Sequence, residues 1–442
     1  MLLEFSVANF RSFNEKQTLS LIASRDRHNA ENIYGEKPRV LKSIAVFGAN
    51  ASGKSNLVRA VEFMEHLVLT SATRMTEGDT IDEAVPFRLL SSMVSLPTSL
   101  EICLIVQGIH YRYGFSANNE RVTEEWLFVQ KPRSKERKWL ERVYNVEKSL
   151  YQYKCEADLN KHEDLLSERT RSNSLALSVG VQQNIDALKP LYGWFRSSLW
   201  CFDFTAGLDT LVKSTAKECL NSPEARSRVS RMMQDADIRI SGLKVQELPA
   251  VSPSLPDNAP PELKKLFLAL EELNDRQGLN GVRPKPIQIQ TQHLTVDTKE
   301  PVWFDISDES NGTQRFFAVA GVLLEALDRG QVVFIDEFEC NMHPRLAQRL
   351  IAWFQHSDIN KTGAQLVVTT HDSTLMHPNL LRRDQIWLAE KDANSATILY
   401  SLNDLDDDKK GRSTEIFQRH YLAGEYGGVP LFGRTFEEPR MP

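Results

Sequence analysis

Leu3, Phe5 and Val7 alternate with polar neighbours at the start of the chain, the period-two pattern of a half-buried strand. Ser43 to Phe47 is an apolar run that ends in glycine, and NLVRAVEFMEHLVL after it has helical periodicity. The first 60 residues therefore predict strand, loop, strand, glycine-containing loop, helix. Between Ser99 and Gln130, LEICLIVQG, IHYRYGFSA and VTEEWLFVQ are rich in β-branched and aromatic residues and separated by turn residues, which predicts β-hairpins. KPRSKERKWLERVYNVEK then predicts a basic hairpin or loop, either a solvated tip or a contact for a polyanion. Residues 151 to 245 look mostly helical, and VSPSLPDNAPPELKK is a proline-rich loop. Leu263, Leu266, Phe267, Leu270 and Leu273 mark one face of a short helix. Strands IQIQ, HLTV and PVWFDI follow from 286. The remainder alternates helix and strand: QRFFAVAGVLLEALDRG, QVVFIDEFE, HPRLAQRLIAWFQHS, QLVVTTHD, DQIWLAEKD, TILYSL. No internal repeat and no sustained heptads interrupt this order.

The layout predicts an α/β fold whose parallel sheet is split by an insertion. The expected divisions are 1–150, an N-terminal lobe with the glycine loop and hairpins; 151–285, a mainly helical insertion; and 286–442, a C-terminal lobe. The profile is that of a globular chain large enough for two or three packing units. No apolar run approaches the ~18 residues of a membrane span. MLLEFSVANFRSF lacks the basic region and cleavage site of a secretory signal. Five scattered cysteines without a C-x-x-C pair argue against a disulfide scaffold or zinc site and fit a reducing cytoplasm. The net charge of −6 does not demand a nucleic-acid partner.

Gly48-Ala49-Asn50-Ala51-Ser52-Gly53-Lys54-Ser55 matches the phosphate-loop pattern G-x-x-x-x-G-K-[ST], in the required setting between strand and helix. Its glycines let the backbone curl so that N–H groups point at phosphate, and the helix N-terminus adds its dipole. Lys54 is placed to reach the β- and γ-phosphates and the Ser55 hydroxyl to ligate Mg²⁺. The expected nucleotide contacts are Gly48, Asn50, Ala51, Ser52, Gly53, Lys54, Ser55 and Asn56. VVFIDE, ending at Asp336 and Glu337, is an apolar strand with two carboxylates at its tip. Such residues often cap a helix. Beside a phosphate loop they read as a Walker B element, with Asp336 holding Mg²⁺ and Glu337 polarising the attacking water as general base. His371 follows the strand QLVVTT and is either structural or a hydrogen-bond donor to the γ-phosphate. Ser310-Asn311-Gly312-Thr313-Gln314 precedes a helix and is either an ordinary cap or an anion site made of the Ser310 hydroxyl and the Gly312 backbone.

The order of these motifs resembles that of ABC-type ATPases, whose LSGGQ signature lies just upstream of Walker B. Asn9-Phe10-Arg11-Ser12-Phe13 resembles the N-F-R-S-F opening of the RecF, Rad50 and SMC branch. FECNMHP is similar to E-x-x-L-H-P, TTHDSTLMHPNLLRRDQIWLAEKD to a switch-histidine segment, and RHYLAGEYGGVP to an R-Y-L-x-G-x-Y-G-x-x-P ending. Together they resemble the compact AAA-type ATPases of bacterial anti-phage operons, the RloA, AriA and PtuA-like group. The resemblance covers the two ends of the chain.

It implies an ABC-type ATPase head with an antiparallel β subdomain and a mainly helical insertion. It also implies ATP and Mg²⁺ as cofactors, with two ATPs held between two protomers. Lys54, Glu337 and the switch histidine His371 are then the catalytic residues; Ser55 and Asp336 serve the metal; Arg11 and Ser12 lie beside the phosphates or base. Ser310 and Gly312 of the second copy touch the γ-phosphate. Asn311 and Thr313 depart from LSGGQ, and no glutamine from 80 to 110 has a persuasive Q-loop setting, Gln107 falling in a hairpin. The expected function is a cytoplasmic, homo-oligomeric ATPase that regulates a separate effector, a nuclease or toxin. The chain shows no nuclease cluster of its own; Asp406-Asp407-Asp408 before Lys409-Lys410 reads as a solvated loop. The alternative is a RecF-like DNA-binding repair ATPase, for which Lys131 to Lys148 is the available basic stretch. A scaffold that binds nucleotide without turnover is a third reading, against which Lys54 and Glu337 argue.

Overall fold

The structure is a computed structural model that describes residues 1–203, 208–235, 240–248, 260, 286–339, 342–405 and 417–430. The helix expected over 263–273 and the acidic run 406–408 lie outside the described residues. The fold is mixed α/β, with antiparallel sheets and several helices. Two compact units divide the chain, one made of Met1–Gly207 with Glu325–Pro442 and the other of Leu208–Leu324.

The first unit opens with β1 (Leu2–Ala8), β2 (Gln17–Ser20), the short pair β3 (Ile33–Tyr34) and β4 (Val40–Leu41), and β5 (Ser43–Phe47). Helix α1 (Lys54–Thr70) follows β5 directly. A meander comes next: β6 (Thr98–Val106), β7 (Ile109–Ala117), β8 (Val122–Gln130), β9 (Arg137–Asn145) and β10 (Leu150–Cys155). These strands form an antiparallel sheet in the order β10-β9-β8-β7-β6-β1-β2. Burial alternates along β6, as a sheet with one face on the core requires. Gln107 and Gly108 make the two-residue turn between β6 and β7, at φ 50° and 77°, so Gln107 does sit in a hairpin. The basic segment is a hairpin too, but its second arm is β9, which buries Trp139, Leu140 and Arg142.

The second sheet of this unit carries the phosphate loop. After β11 (Leu199–Asp203), the chain leaves for the second unit, which holds β12 (Gly242–Glu247), β13 (Ile287–Leu294) and β14 (Pro301–Asp305). It returns as β15 (Val332–Asp336), β16 (Gln365–Thr370), β17 (Ile386–Lys391) and β18 (Thr397–Ser401). The order is β11-β15-β16-β5-β17-β18, parallel except for the antiparallel edge strand β18. β5, β15 and β16 are buried at every position, which explains their uninterrupted apolar runs. α1 buries Leu57, Val58, Val61, Met64, Leu67 and Val68, one helical face.

The expectation of a mostly helical stretch over 151–245 needs correction at three places, since β10, β11 and β12 fall within it. β11 matters most, because it pairs in parallel with β15 and places Asp203 opposite Asp336. LWCFD is a short apolar run without periodicity, and its partner is distant in sequence, so helix and strand cannot be told apart locally. The strands expected at IQIQ and HLTV are one strand, β13; beyond it Val296 is exposed.

In the second unit, β12-β13-β14 form a sheet, accompanied by helices Leu208–Asn221 and Pro223–Asp235 and the first part of helix Asn311–Arg329. Gly321 permits a close helix crossing: a Cβ there would lie 2.3 Å from Thr215 Oγ1, whose hydroxyl donates to the Ala318 carbonyl (2.8 Å). Among the described residues no helix is long and apolar enough to cross a membrane.

Candidate nucleotide site

The parallel register sets the tips of three adjacent strands side by side, with Val46 opposite Thr369, Phe47 opposite Thr370 and Ile335 opposite Val368. The loop after β5 carries Lys54, the tip of β15 carries Asp336 and Glu337, and His371 follows β16. The carboxyl ends of parallel strands are where α/β sheets open a crevice for ligands.

The phosphate loop needs its glycines. Gly48 (φ 156°) has no room for a Cβ, which would sit 2.3 Å from the Ala389 carbonyl oxygen and 2.8 Å from Ser52 Oγ. At Gly53 (φ 109°) a Cβ would lie 2.0 Å from Thr397 Oγ1 and 2.8 Å from Ser12 Oγ. Ala51 is also left-handed, at φ 63°. Asn50 and Ala51 are exposed, Ser55 and Asn56 half-buried, and Ser52 buried, its hydroxyl without a hydrogen-bond partner.

Lys54 is buried and its ammonium donates to the carbonyls of Gly48 (2.8 Å) and Ala49 (3.0 Å). It also stands 3.3 Å from His371 Nδ1. An ammonium can only donate, so Nδ1 accepts and Nε2 carries the imidazole proton. Burial lowers the Lys54 pKa to about 8, against the upward pull of Asp336, Glu339 and Glu337. Asp336 is buried and accepts from the Thr369 hydroxyl. The same hydroxyl accepts the Glu337 N–H (3.0 Å), and Glu337 turns out of the strand at φ 52°. The structure therefore brings Lys54, Asp336, Glu337 and His371 together.

Arg11 and Ser12 come to the loop from another direction. The Asn56 side-chain amide donates to Ser12 Oγ (2.8 Å), and Thr397 Oγ1 lies 2.8 Å from the same oxygen and 2.7 Å from the Ser52 carbonyl it bonds. Arg11 has a left-handed backbone (φ 50°) fixed by its N–H on the Val85 carbonyl (2.8 Å). Its pKa is lowered, first by burial and then by Arg59 and Arg88, against the upward pull of Glu83.

Ser310 and Gly312 belong to the second unit. Ser310 is exposed, and its Oγ accepts the Thr313 N–H (3.2 Å), the geometry of an N-cap. Glu309 before it is held by Thr291 Oγ1 (2.5 Å) and His293 Nε2 (2.6 Å), and its carbonyl accepts from the Gln314 amide (2.8 Å).

Three contributors were not singled out from sequence. Thr369 braces both acidic residues, Glu339 accepts the His371 N–H, and Thr397 packs behind the phosphate loop. Thr369 lies in the quoted Thr-Thr-His run and Glu339 two places past Glu337, so local signals existed. Thr397 is distant in sequence and has none.

The donors fit Mg²⁺: Asp336, the Ser55 hydroxyl and phosphate oxygens are hard ligands, and a metal here would take much of its shell from the nucleotide and water.

No curated protein matches the chain. Among solved structures it is similar to the SMC head domain from Thermotoga maritima, at 11% identity and TM-score 0.39, covering 90% of this chain and 98% of that one. It is also similar to the Smc head of Pyrococcus furiosus with an extended coiled coil bound to the C-terminal domain of ScpA, at 13% identity and TM-score 0.37, covering 92% and 97%. The recombination mediator protein RecF with ATP matches at 14% identity and TM-score 0.28, covering 84% and 92%. The family model described as "AAA domain, putative AbiEii toxin, Type IV TA system" matches residues 43–202 and 209–377, and the chain belongs to that family.

Proposed function

We propose that this protein is an ATPase that binds and hydrolyses Mg·ATP at sites completed by a second copy of the chain, and that it regulates a separate effector in an anti-phage defence system. One observation carries the reading: Lys54, Asp336, Glu337 and His371 converge at the tips of β5, β15 and β16. The family description, with its reference to a toxin and a toxin–antitoxin system, supports the defence context.

The phosphate loop offers inward N–H groups and Lys54 offers positive charge to the β- and γ-phosphates. Bound Mg²⁺ would neutralise charge developing on the phosphate oxygens. Glu337 accepts a proton from the attacking water, and His371 offers its Nε2–H to the γ-phosphate. Lys54 must leave the Gly48 and Ala49 carbonyls to do this, and a triphosphate supplies stronger, charge-assisted partners. Exposed Ser310 and the neighbouring Gly312 are available to complete the site of a partner protomer.

The RecF-like reading draws on the tip of the β8–β9 hairpin, where residues 131–137 are all exposed. Lys131 there is already paired with Asp158 (2.8 Å), and Lys138 just beyond the tip with Glu141 (2.5 Å). That weakens the polyanion surface, so the regulatory reading stands first.

Glu337→Gln keeps the shape of the residue and removes the base. With Mg·ATP it should lose turnover by roughly a hundredfold or more and accumulate a nucleotide-bound assembly on size exclusion. Unchanged turnover, or wild-type protein indifferent to Mg·ATP, overturns the reading.

A further inference from the structure

Residues 417–430 join two parts of the first unit that flank the nucleotide site. At one end, the Gly428 N–H donates to Glu390 Oε2 (2.8 Å), the Tyr400 hydroxyl donates to the Tyr426 carbonyl (2.8 Å), and the Tyr421 hydroxyl donates to the Gly428 carbonyl (3.1 Å). Gly424, Gly427 and Gly428 are all left-handed, at φ 77°, 81° and 68°. A Cβ on Gly427 would stand 2.5 Å from both Glu390 Oε2 and Tyr400 Oη, so the segment fits tightly against β17 and β18.

That hairpin is also the back wall of the phosphate loop. Its Ala389 carbonyl fills the space that a side chain at Gly48 would take, and Thr397 bonds the Ser52 carbonyl and, through its N–H, the Ser12 carbonyl (2.7 Å). The Tyr421 ring lies 6.3 Å from Phe47, the residue before Gly48. At the other end, the Gln418 amide donates to Ser373 Oγ (3.2 Å), and helix Phe417–Leu422 packs on the turn Ser373–Leu375, two residues past His371.

We infer that residues 417–430 form a strut that fixes the His371 turn relative to the phosphate loop, and so act as a positioning element for chemistry at the γ-phosphate. The inference rests on the ATPase reading for its consequence, but not for its geometry. β5 and β16 are bonded neighbours, yet the loops at their tips, 48–53 and 371–376, leave the sheet ladder and depend on side-chain constraints, among them the Gln348 amide on the Thr374 carbonyl (3.0 Å) and Lys54 on His371 (3.3 Å). The strut supplies one that runs outside the sheet, from Glu390 and Tyr400 to Ser373. It predicts an effect on turnover rather than on capture of nucleotide, because the groups that hold the phosphate loop itself are untouched.

Two variants of the full chain test this. Gln418→Ala removes only the tie to Ser373. Gly427→Val drives a side chain into Glu390 and Tyr400. Hydrogen exchange without nucleotide should show the amides of 371–376 opening about tenfold faster in both, with β15 unchanged. In steady-state assays of Gln418→Ala, which leaves the β17–β18 wall of the phosphate loop intact, kcat should fall about tenfold while KM for Mg·ATP stays within about twofold. Wild-type exchange over 371–376 in folded Gln418→Ala protein overturns the strut. So does a parallel loss of kcat, KM and melting temperature, the mark of general loosening. Wild-type protein without turnover defeats the ATPase reading instead, and the exchange measurement then decides the strut alone.

Discussion

Thr369 donates to the Asp336 carboxylate and accepts the Glu337 N–H, so one hydroxyl fixes both acidic residues at the tip of β15. Thr369→Val keeps the shape and leaves both partners short of a bond. It should cost about 1–3 kcal/mol in denaturant unfolding and at least about tenfold in turnover through misplacement of Glu337. Thr369→Ser should keep most of both. Lys54 makes a pH prediction. Its pKa, lowered to about 8 by burial, leaves the ammonium charged below that value and increasingly neutral above it. Triphosphate favours the charged form, so Mg·ATP affinity should be flat below about pH 8 and fall above it, approaching tenfold per unit. The sign for folding is opposite. Between about 8 and the ordinary 10.5 the unfolded chain binds more protons, and this residue's contribution to stability rises with pH. Calorimetric titration across the range checks the first, and Lys54→Met should abolish the step. Lys54 was legible in sequence because its role depends on neighbours in the loop; its depressed pKa was not, because burial comes from distant residues.

At the scale of elements, the antiparallel sheet is tied to its helices by a buried charge. Glu125 on β8 accepts the N–H groups of Ala176 (2.6 Å) and Leu177 (3.0 Å) at the start of helix Ala176–Gln182, and the Tyr113 hydroxyl (3.0 Å). Arg142 on β9 lies 3.6 Å from the same Glu125 Oε2 that accepts the Ala176 N–H, and donates to the Ser174 and Arg171 carbonyls (2.6 and 2.9 Å). Both side chains are fully buried. Arg142→Met leaves Glu125 without its counter-charge and should cost about 3–5 kcal/mol in chemical denaturation. In the sequence Arg142 sits among Lys and Arg residues that predict a solvated tip. Composition cannot separate it from exposed neighbours; the alternation of β9 does, once β8 and β10 flank it. The hairpins themselves were legible, because their strand period and turns are local. β11 was not, because its only described strand partner is β15.

For the molecule as a whole, the proposal asks a second copy to complete each site. In the Glu337→Gln background, Ser310→Arg should block Mg·ATP-dependent assembly without weakening nucleotide binding by more than about threefold. Light scattering and nucleotide titration of the two proteins separate these effects. Assembly that survives Ser310→Arg would remove the signature turn from the contact. Ser310 itself could be found from sequence by its place before a helix and upstream of Asp336. Its support by Glu309, Thr291 and His293 comes from β13 and has no signal in the motif.

The amino-acid sequence by itself determined the phosphate loop, the acidic strand tip, the hairpins and the order of the C-terminal α/β elements. Each is written in residues a few positions apart, where backbone sterics and periodic burial act directly. Tertiary structure alone decided that LWCFD is a sheet strand and that Thr397 backs the loop. It also seated residues 417–430 across both sides of the site. Those outcomes depend on strand partners and buried contacts between distant residues, and no local pattern carries that information.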